Sequence, residues 1–217
     1  MEHLDGPRWG PREGAARQLV VLCHGVGADG HDLIDLAPHW ATALPQAAFA
    51  APDAPEPYDQ APFGRQWFSL ADRTPQHLAA GAAVAAVALG RFVDAELERL
   101  TLPPSAYALV GFSQGAMMAL HAGLRRMVPP RAILAYSGAL LAPSDLTALP
   151  RPFAPVLLVH GEADEVVPAE RSRQAEAALR AAGAAVDSLY CPRLGHGIDD
   201  AGLSAGALAL QKAFAGE

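Results

Sequence analysis

The sequence predicts an α/β protein: one mostly parallel sheet of about six to seven strands, with helices on both faces. Three observations carry this expectation. Strand-like apolar runs recur six times along the 217 residues and alternate with five stretches of helical periodicity. Several of the runs are unbroken rather than alternating, as in parallel strands covered on both faces. The glycine-bearing segments able to carry chemistry follow strands, where open parallel sheets collect their functional loops.

Each element can be justified in turn. The segment from Met1 to Ala16 is polar and is read as irregular. Leu19 to Cys23 is the first apolar strand, and Asp32 to Ala43 follows as one helix with Leu33, Leu36, Ala37 and Trp40 on one side. Ala47 to Ala51 makes a short second strand. From Pro52 to Pro75 runs a long stretch with five prolines and the aromatics Tyr58, Phe63, Trp67 and Phe68; its length and aromatic content suggest an ordered functional loop. Helical spacing returns from Gln76 to Leu100. A strand at Tyr107 to Val110 leads into a helix from Ala116 to Arg126, and Ala132 to Tyr136 is the next strand. Ser137 to Phe153 connects with little pattern. The strand at Pro155 to His160, helix at Ala169 to Ala182, strand at Val186 to Cys191 and helix at Asp199 to Phe214 complete a single domain over residues 1–217.

Composition narrows the function classes. Half of the residues are hydrophobic and 18% are charged, which excludes a disordered chain. A formal charge of −7 without a basic patch argues against nucleic-acid and anionic-membrane partners. The longest apolar run, Leu78 to Gly90, falls short of the roughly 18 residues that span a bilayer. The first sixteen residues show no apolar signal core, so a cytoplasmic location is expected. Fifteen of the sixteen basic residues are Arg, read as a bacterial coding bias. Cys23 and Cys191 fit neither a metal motif nor a disulfide framework and are assigned to core strands.

The most specific motif is Gly111-Phe112-Ser113-Gln114-Gly115, set between an apolar strand and a helix. In that context G-x-S-x-G marks a nucleophile elbow, a turn too tight for side chains two residues either side of the serine. A serine nucleophile needs a base and an orienting acid, which follow it in the chain order of the α/β-hydrolase fold. The acid is sought in His160-Gly161-Glu162-Ala163-Asp164-Glu165, where Asp164 is favoured and Glu162 and Glu165 remain open. The base is sought in Leu194-Gly195-His196-Gly197. His24 and His160 end strands just before a glycine and are read as bonding loop backbone. His31, His39, His77 and His121 are assigned to helix surfaces or packing, and no ligand pair suggests a metal. Donors for an oxyanion are expected from the Gln114 N–H, at the positive end of the following helix, and from Val26 in the glycine-rich turn after the first strand.

HGVGADG, GFSQGAMMAL, HGEADEVVP and GHG, in that order and spacing, resemble the phospholipase/carboxylesterase family of small α/β-hydrolases over Leu19 to Phe214. That family includes bacterial carboxylesterases and acyl-protein thioesterases. The resemblance implies an α/β-hydrolase fold, a triad of Ser113, Asp164 and His196, and an oxyanion hole from Val26 and Gln114; the connection from Ser137 to Phe153 is too short to build a large helical lid. It implies hydrolysis of carboxylic esters or thioesters of short-to-medium acyl groups without a cofactor. The acid motif departs mildly, with Glu-Ala between Gly161 and Asp164. Gly64 to Phe68 resembles the family's loop with a substrate-facing tryptophan; Trp67 and Phe68 either face the substrate or pin the loop to the core.

A small-molecule ester is therefore the expected partner. Trp67, Phe68, Leu70 and Met117 are expected to line the cleft, with Leu140 or Leu141 beside them. Apolar surface near residues 58–70 could serve a homodimer or substrate entry. A thioesterase or lysophospholipase of the same family, a peptidase or amidase, and a non-catalytic binding protein are the competing readings.

Overall fold

The unbroken apolar runs lie where the sheet is deepest. The computed structural model describes residues 3–215. In chain order its first half holds β1 (Arg8–Trp9), β2 (Gln18–Cys23), α1 (Gly30–Ile34), α2 (Ala37–Ala41), β3 (Ala47–Ala50), β4 (Glu56–Pro57), β5 (Arg65–Gln66) and α3 (Pro75–Arg99). The second half holds β6 (Tyr107–Phe112), α4 (Gln114–Gly123), β7 (Ile133–Tyr136), β8 (Val156–Gly161), α5 (Glu170–Ala181), β9 (Val186–Cys191) and α6 (Asp200–Phe214). Seven strands form one sheet in the order β1-β3-β2-β6-β7-β8-β9, parallel except for β1. This is the architecture expected from the sequence.

Strand periodicity divides the core into two layers. Leu19, Val21 and Cys23 of β2 face a cluster completed by Leu89 and Val93 of α3, Met118 of α4 and Leu179 of α5. Val20 and Leu22 face the other cluster, completed by Leu33 of α1, Trp40 of α2, and Leu210 and Phe214 of α6. Trp40 donates its indole N–H to Leu203 O at 2.9 Å and stacks on Tyr136, whose hydroxyl donates to Gly202 O at 3.1 Å. These bonds satisfy the polar ends of two buried aromatic rings.

Three local expectations are corrected. The helix over 32–43 is two helices, α1 and α2, with Asp35 and Leu36 between them. Pro38 explains the break: it has no N–H for the carbonyl of Ile34, and its ring would collide with that carbonyl in a continuous helix. The N-terminal segment is not wholly irregular. Arg8 and Trp9 pair with Ala50 and Phe49, and the Arg8 guanidinium binds Glu96 at 2.7 Å. A two-residue edge strand is too short to show any period. Third, α3, 25 residues long with an 18-residue window of mean hydropathy 1.6, is long and apolar enough to cross a membrane by length and composition. Here its Ala82, Ala85, Leu89, Phe92, Val93 and Leu97 are buried against the sheet.

Candidate active site

The turn at Ser113, expected to be a nucleophile elbow, is tightly constrained. Ser113 connects β6 to α4 with φ 54° and ψ −117°, a left-handed conformation that costs a non-glycine residue about 1–3 kcal/mol. It is held there by its N–H donating to Tyr136 O at 2.9 Å and by Met117 N–H donating to Ser113 O at 3.2 Å. The flanking glycines are required by packing. A Cβ on Gly111 would lie 2.1 Å from Gly115 O, and one on Gly115 would lie 1.8 Å from Cys23 O. Without a Cβ at these two positions α4 packs closely on β6 and on the end of β2, and the serine projects from the carboxyl end of the sheet.

Two strands further along, the loop after β8 supplies Asp164. Its side chain is fully buried, Oδ1 accepts from Val166 N and Val167 N at 2.9 Å each, and Oδ2 accepts from His196 Nδ1 at 2.7 Å. Burial alone would raise the carboxyl pKa, but the His196 and backbone hydrogen bonds outweigh it and hold Asp164 below the usual carboxylate range. Glu162 is exposed and paired with Arg173, and Glu165 is exposed. The His196 ring packs on Phe112 with centroids 4.8 Å apart, which sets it beside the elbow. With Nδ1 donating to Asp164, Nε2 is the nitrogen left to face a hydroxyl.

The glycine-rich turn after β2 closes the site from the other side. A Cβ on Gly25 would lie 3.4 Å from Ser113 Cβ, so Val26 follows directly on the backbone nearest the nucleophile. Gly27 N–H donates to Arg65 O and Arg65 N–H donates to Ala28 O, both at 2.8 Å. Gly64, at φ 81°, comes so close that a Cβ there would sit 2.1 Å from Gly27 O. His24 donates Nδ1–H to Gly25 O at 2.7 Å and accepts Ala54 N–H on Nε2 at 2.9 Å. Burial lowers its pKa, favouring the neutral ring this bonding requires. Gln114 N lies at the first position of α4, where the helix leaves N–H groups unpaired and its dipole is positive.

Comparison with known proteins follows the same lines. The Phospholipase/Carboxylesterase family profile matches residues 10–212. The chain belongs to that family. Esterase YpfH of Escherichia coli strain K12 is 30% identical over 187 residues, 85% of this chain and 78% of that protein. Acyl-protein thioesterase 1 of Gibberella zeae is 26% identical over 194 residues, 82% of each chain. The crystal structure of esterase PE8 superimposes with a TM-score of 0.92 at 40% identity, covering 98% of this chain and 100% of that one. The fold is an α/β-hydrolase fold, and the protein is a hydrolase of carboxylic esters.

Within this esterase, the residues expected to line the cleft divide. Leu70, Met117 and Leu140 are half-buried on the same core layer. Trp67 and Phe68 are only 1% and 2% exposed. Trp67 donates its indole N–H to His24 O at 2.9 Å and its backbone N–H to Gln114 Oε1 at 2.9 Å, while Gln114 Nε2 donates to Phe68 O at 2.7 Å. Of the two readings left open, these contacts are those of an anchor. The exposed aromatic of the loop is Phe63, at 73%. The Gln114 side chain and Arg65 thus support the site in ways sequence reasoning did not isolate, and no pattern around either residue announces it. Among the histidines, His121 is buried between α3 and α4, where burial and then Arg125 push its pKa down to about 4. A depression of about 700 Å³ at the opposite, amino-end rim is lined by Pro129, Pro155, Val186 and Lys212 and contains none of the residues above. Among the described residues no group of three or more His, Cys, Asp or Glu could hold a metal.

Proposed function

We propose that this protein hydrolyses carboxylic esters of short-to-medium acyl chains by a Ser113-His196-Asp164 triad through an acyl-enzyme. The observation that carries the reading is the 2.7 Å bond from His196 Nδ1 to a buried, fully hydrogen-bonded Asp164, on a ring packed against the residue before Ser113. Asp164 holds the imidazole in the tautomer whose Nε2 accepts the serine proton, and it stabilises the imidazolium that results. Ser113 Oγ attacks the ester carbonyl, and the oxyanion meets the backbone N–H groups of Val26 and Gln114. His196 then protonates the leaving alkoxide. Water, deprotonated by the same imidazole, cleaves the acyl-enzyme.

Leu70 and Met117, with Leu140 beside them, take the acyl chain, while Trp67 and Phe68 act on the substrate only through the loop they anchor. Phe63 is the exposed aromatic of the same loop. A thioester substrate is the second reading, favoured by the acyl-protein thioesterase among the relatives. The test is the rate of hydrolysis of p-nitrophenyl esters from acetate to laurate and of matched thioesters, with Ser113→Ala as the blank. The expected result is a maximum at short-to-medium chain length and a loss of about 10⁴ to 10⁶ in kcat in the variant. A folded Ser113→Ala protein retaining near-full activity would overturn the assignment.

A further inference from the structure

We propose that His160, the penultimate residue of β8, is a positioning residue for the catalytic acid; the inference rests on the triad reading above. Its side chain is fully buried and its ring reaches three polar groups, two in the loop after β8 and one on α5. Nε2 lies 2.8 Å from Val167 O and 3.2 Å from Asp164 Oδ2. A carbonyl and a carboxylate oxygen only accept, so Nε2 carries the proton. Its main bond is to Val167 O, and its positive end lies against the carboxylate. In the neutral ring Nδ1 then accepts the Ser172 hydroxyl of α5 at 2.6 Å, in preference to Gly138 O, which lies 3.4 Å from the same hydroxyl.

The arrangement closes a ring around Asp164. The Val167 peptide unit that receives His160 belongs to the residue whose N–H donates to Asp164 Oδ1 at 2.9 Å. His160 therefore holds the acid in two ways: it fixes the turn that donates to Oδ1, and its N–H lies beside Oδ2, the oxygen that also receives His196. A carboxylate accepts at about four lone-pair sites. Here Val166, Val167 and His196 donate to three of them, and His160 faces the fourth, so the carboxylate plane has no reason to rotate. A histidine that merely filled space beneath the loop would need neither the acceptor pair at Nε2 nor the hydroxyl at Nδ1.

The charged and titratable groups around this pair are few. Asp164 comes from the acid loop and His196 from the loop after β9. Glu162 of the acid loop is held at the surface by Arg173 of α5, and Glu165 is exposed. On β9, Tyr190 stands opposite His160 in register and gives its hydroxyl to Glu176 of α5. None of these replaces the His160 N–H beside Oδ2.

The test measures kcat, KM and the pH dependence of kcat/KM on p-nitrophenyl butyrate for His160→Leu, His160→Gln and Ser172→Ala, with melting temperatures. Ser113→Ala and Asp164→Asn serve as controls for the triad itself. His160→Leu should lower kcat by about 10- to 100-fold with little change in KM, by analogy with the partners that orient metal-bound histidines and carboxylates. Removing a positive N–H end from beside Asp164 leaves its negative charge less compensated, so the acid limb of the profile should move to higher pH. His160→Gln, which presents an amide N–H at a similar reach, should recover most of the rate and return the limb. Ser172→Ala removes the donor that keeps the proton off Nδ1, and should lower kcat by several-fold with the same direction of shift.

A folded His160→Leu enzyme with wild-type kcat, or one with reduced rate but an unmoved acid limb, would overturn the proposal and leave the histidine a packing residue. If His160→Leu does not fold, His160→Gln and Ser172→Ala decide: wild-type rate and profile in Ser172→Ala, or no activity in a folded His160→Gln, contradicts it. Activity surviving in Ser113→Ala and Asp164→Asn would instead remove the triad on which the proposal stands.

Discussion

The loop after β8 and the loop after β3 both serve the site, and they use their side chains in opposite ways. In the short loop after β8 the decisive group is a side chain, Asp164, and backbone N–H groups exist to hold it. In the long loop after β3 the large side chains are turned inward, Trp67 onto His24 O and Phe68 into the core, and the useful surface is backbone: Arg65 paired to Gly27 and Ala28, beside Val26. In the proposed mechanism one loop presents the acid of the triad and the other shapes an oxyanion donor. Aromatic residues near a site can thus support it from behind, through the backbone they anchor.

The largest effect expected from breaking the first loop is Asp164→Asn. It should lower kcat by about 10³ to 10⁴ at neutral pH with KM little changed, because the amide no longer fixes the imidazole tautomer. Stability supplies a second readout. The folded-state pKa of Asp164 lies below its unfolded value, so its contribution is present above the ordinary carboxylate range and is lost as pH falls through the folded value. The variant should accordingly melt lower at neutral pH and show a flatter acid profile in denaturation followed by circular dichroism.

Breaking the second loop should cost less in rate and more in structure. Gln114→Leu strands Trp67 N–H and Phe68 O in the interior, so chemical denaturation should show a loss of about 2–5 kcal/mol. Because the same residue starts α4 at the elbow, kcat/KM should also fall, by less than the roughly 10² to 10³ that outright loss of one oxyanion donor costs. Trp67→Phe keeps the burial but leaves His24 O unpaired, at about 1–3 kcal/mol of stability. If Trp67 contacted substrate instead, its loss would alter acyl-length preference without moving the melting temperature. The smallest effects are expected at the cleft wall: Leu70→Ala and Met117→Ala should each change relative rates on butyrate and octanoate esters by a few-fold, consistent with a methylene or two of lost contact.

Much of this was legible in the chain itself. The six long strands and the residues around Ser113, Asp164 and His196 stand in local patterns: unbroken apolar runs, then a glycine-framed polar residue. What escaped depends on distant partners. The Arg8–Trp9 strand exists only because β3 offers an edge and Glu96 a counter-charge 88 residues away. The split between α1 and α2 was readable from Pro38 and was overridden by the apolar spacing on either side of it. The glycines beside Ser113 are explained by contacts under 2.2 Å, whereas a Cβ on Gly197 would meet nothing within 4 Å, so the same residue type has different causes in the two motifs. The side of the sheet that Trp67 faces follows from its bonds to His24 and Gln114, and no one-dimensional pattern encodes those.

The most direct measurement of the central claim, that Ser113, His196 and Asp164 act as one unit, is mass-spectrometric mapping of a fluorophosphonate adduct with its rate of formation. The account requires a single adduct on Ser113 in the folded wild type and labelling slower by orders of magnitude in Asp164→Asn. An esterase that stays active while Ser113 remains unlabelled, or an Asp164→Asn enzyme labelled at the wild-type rate, would contradict it.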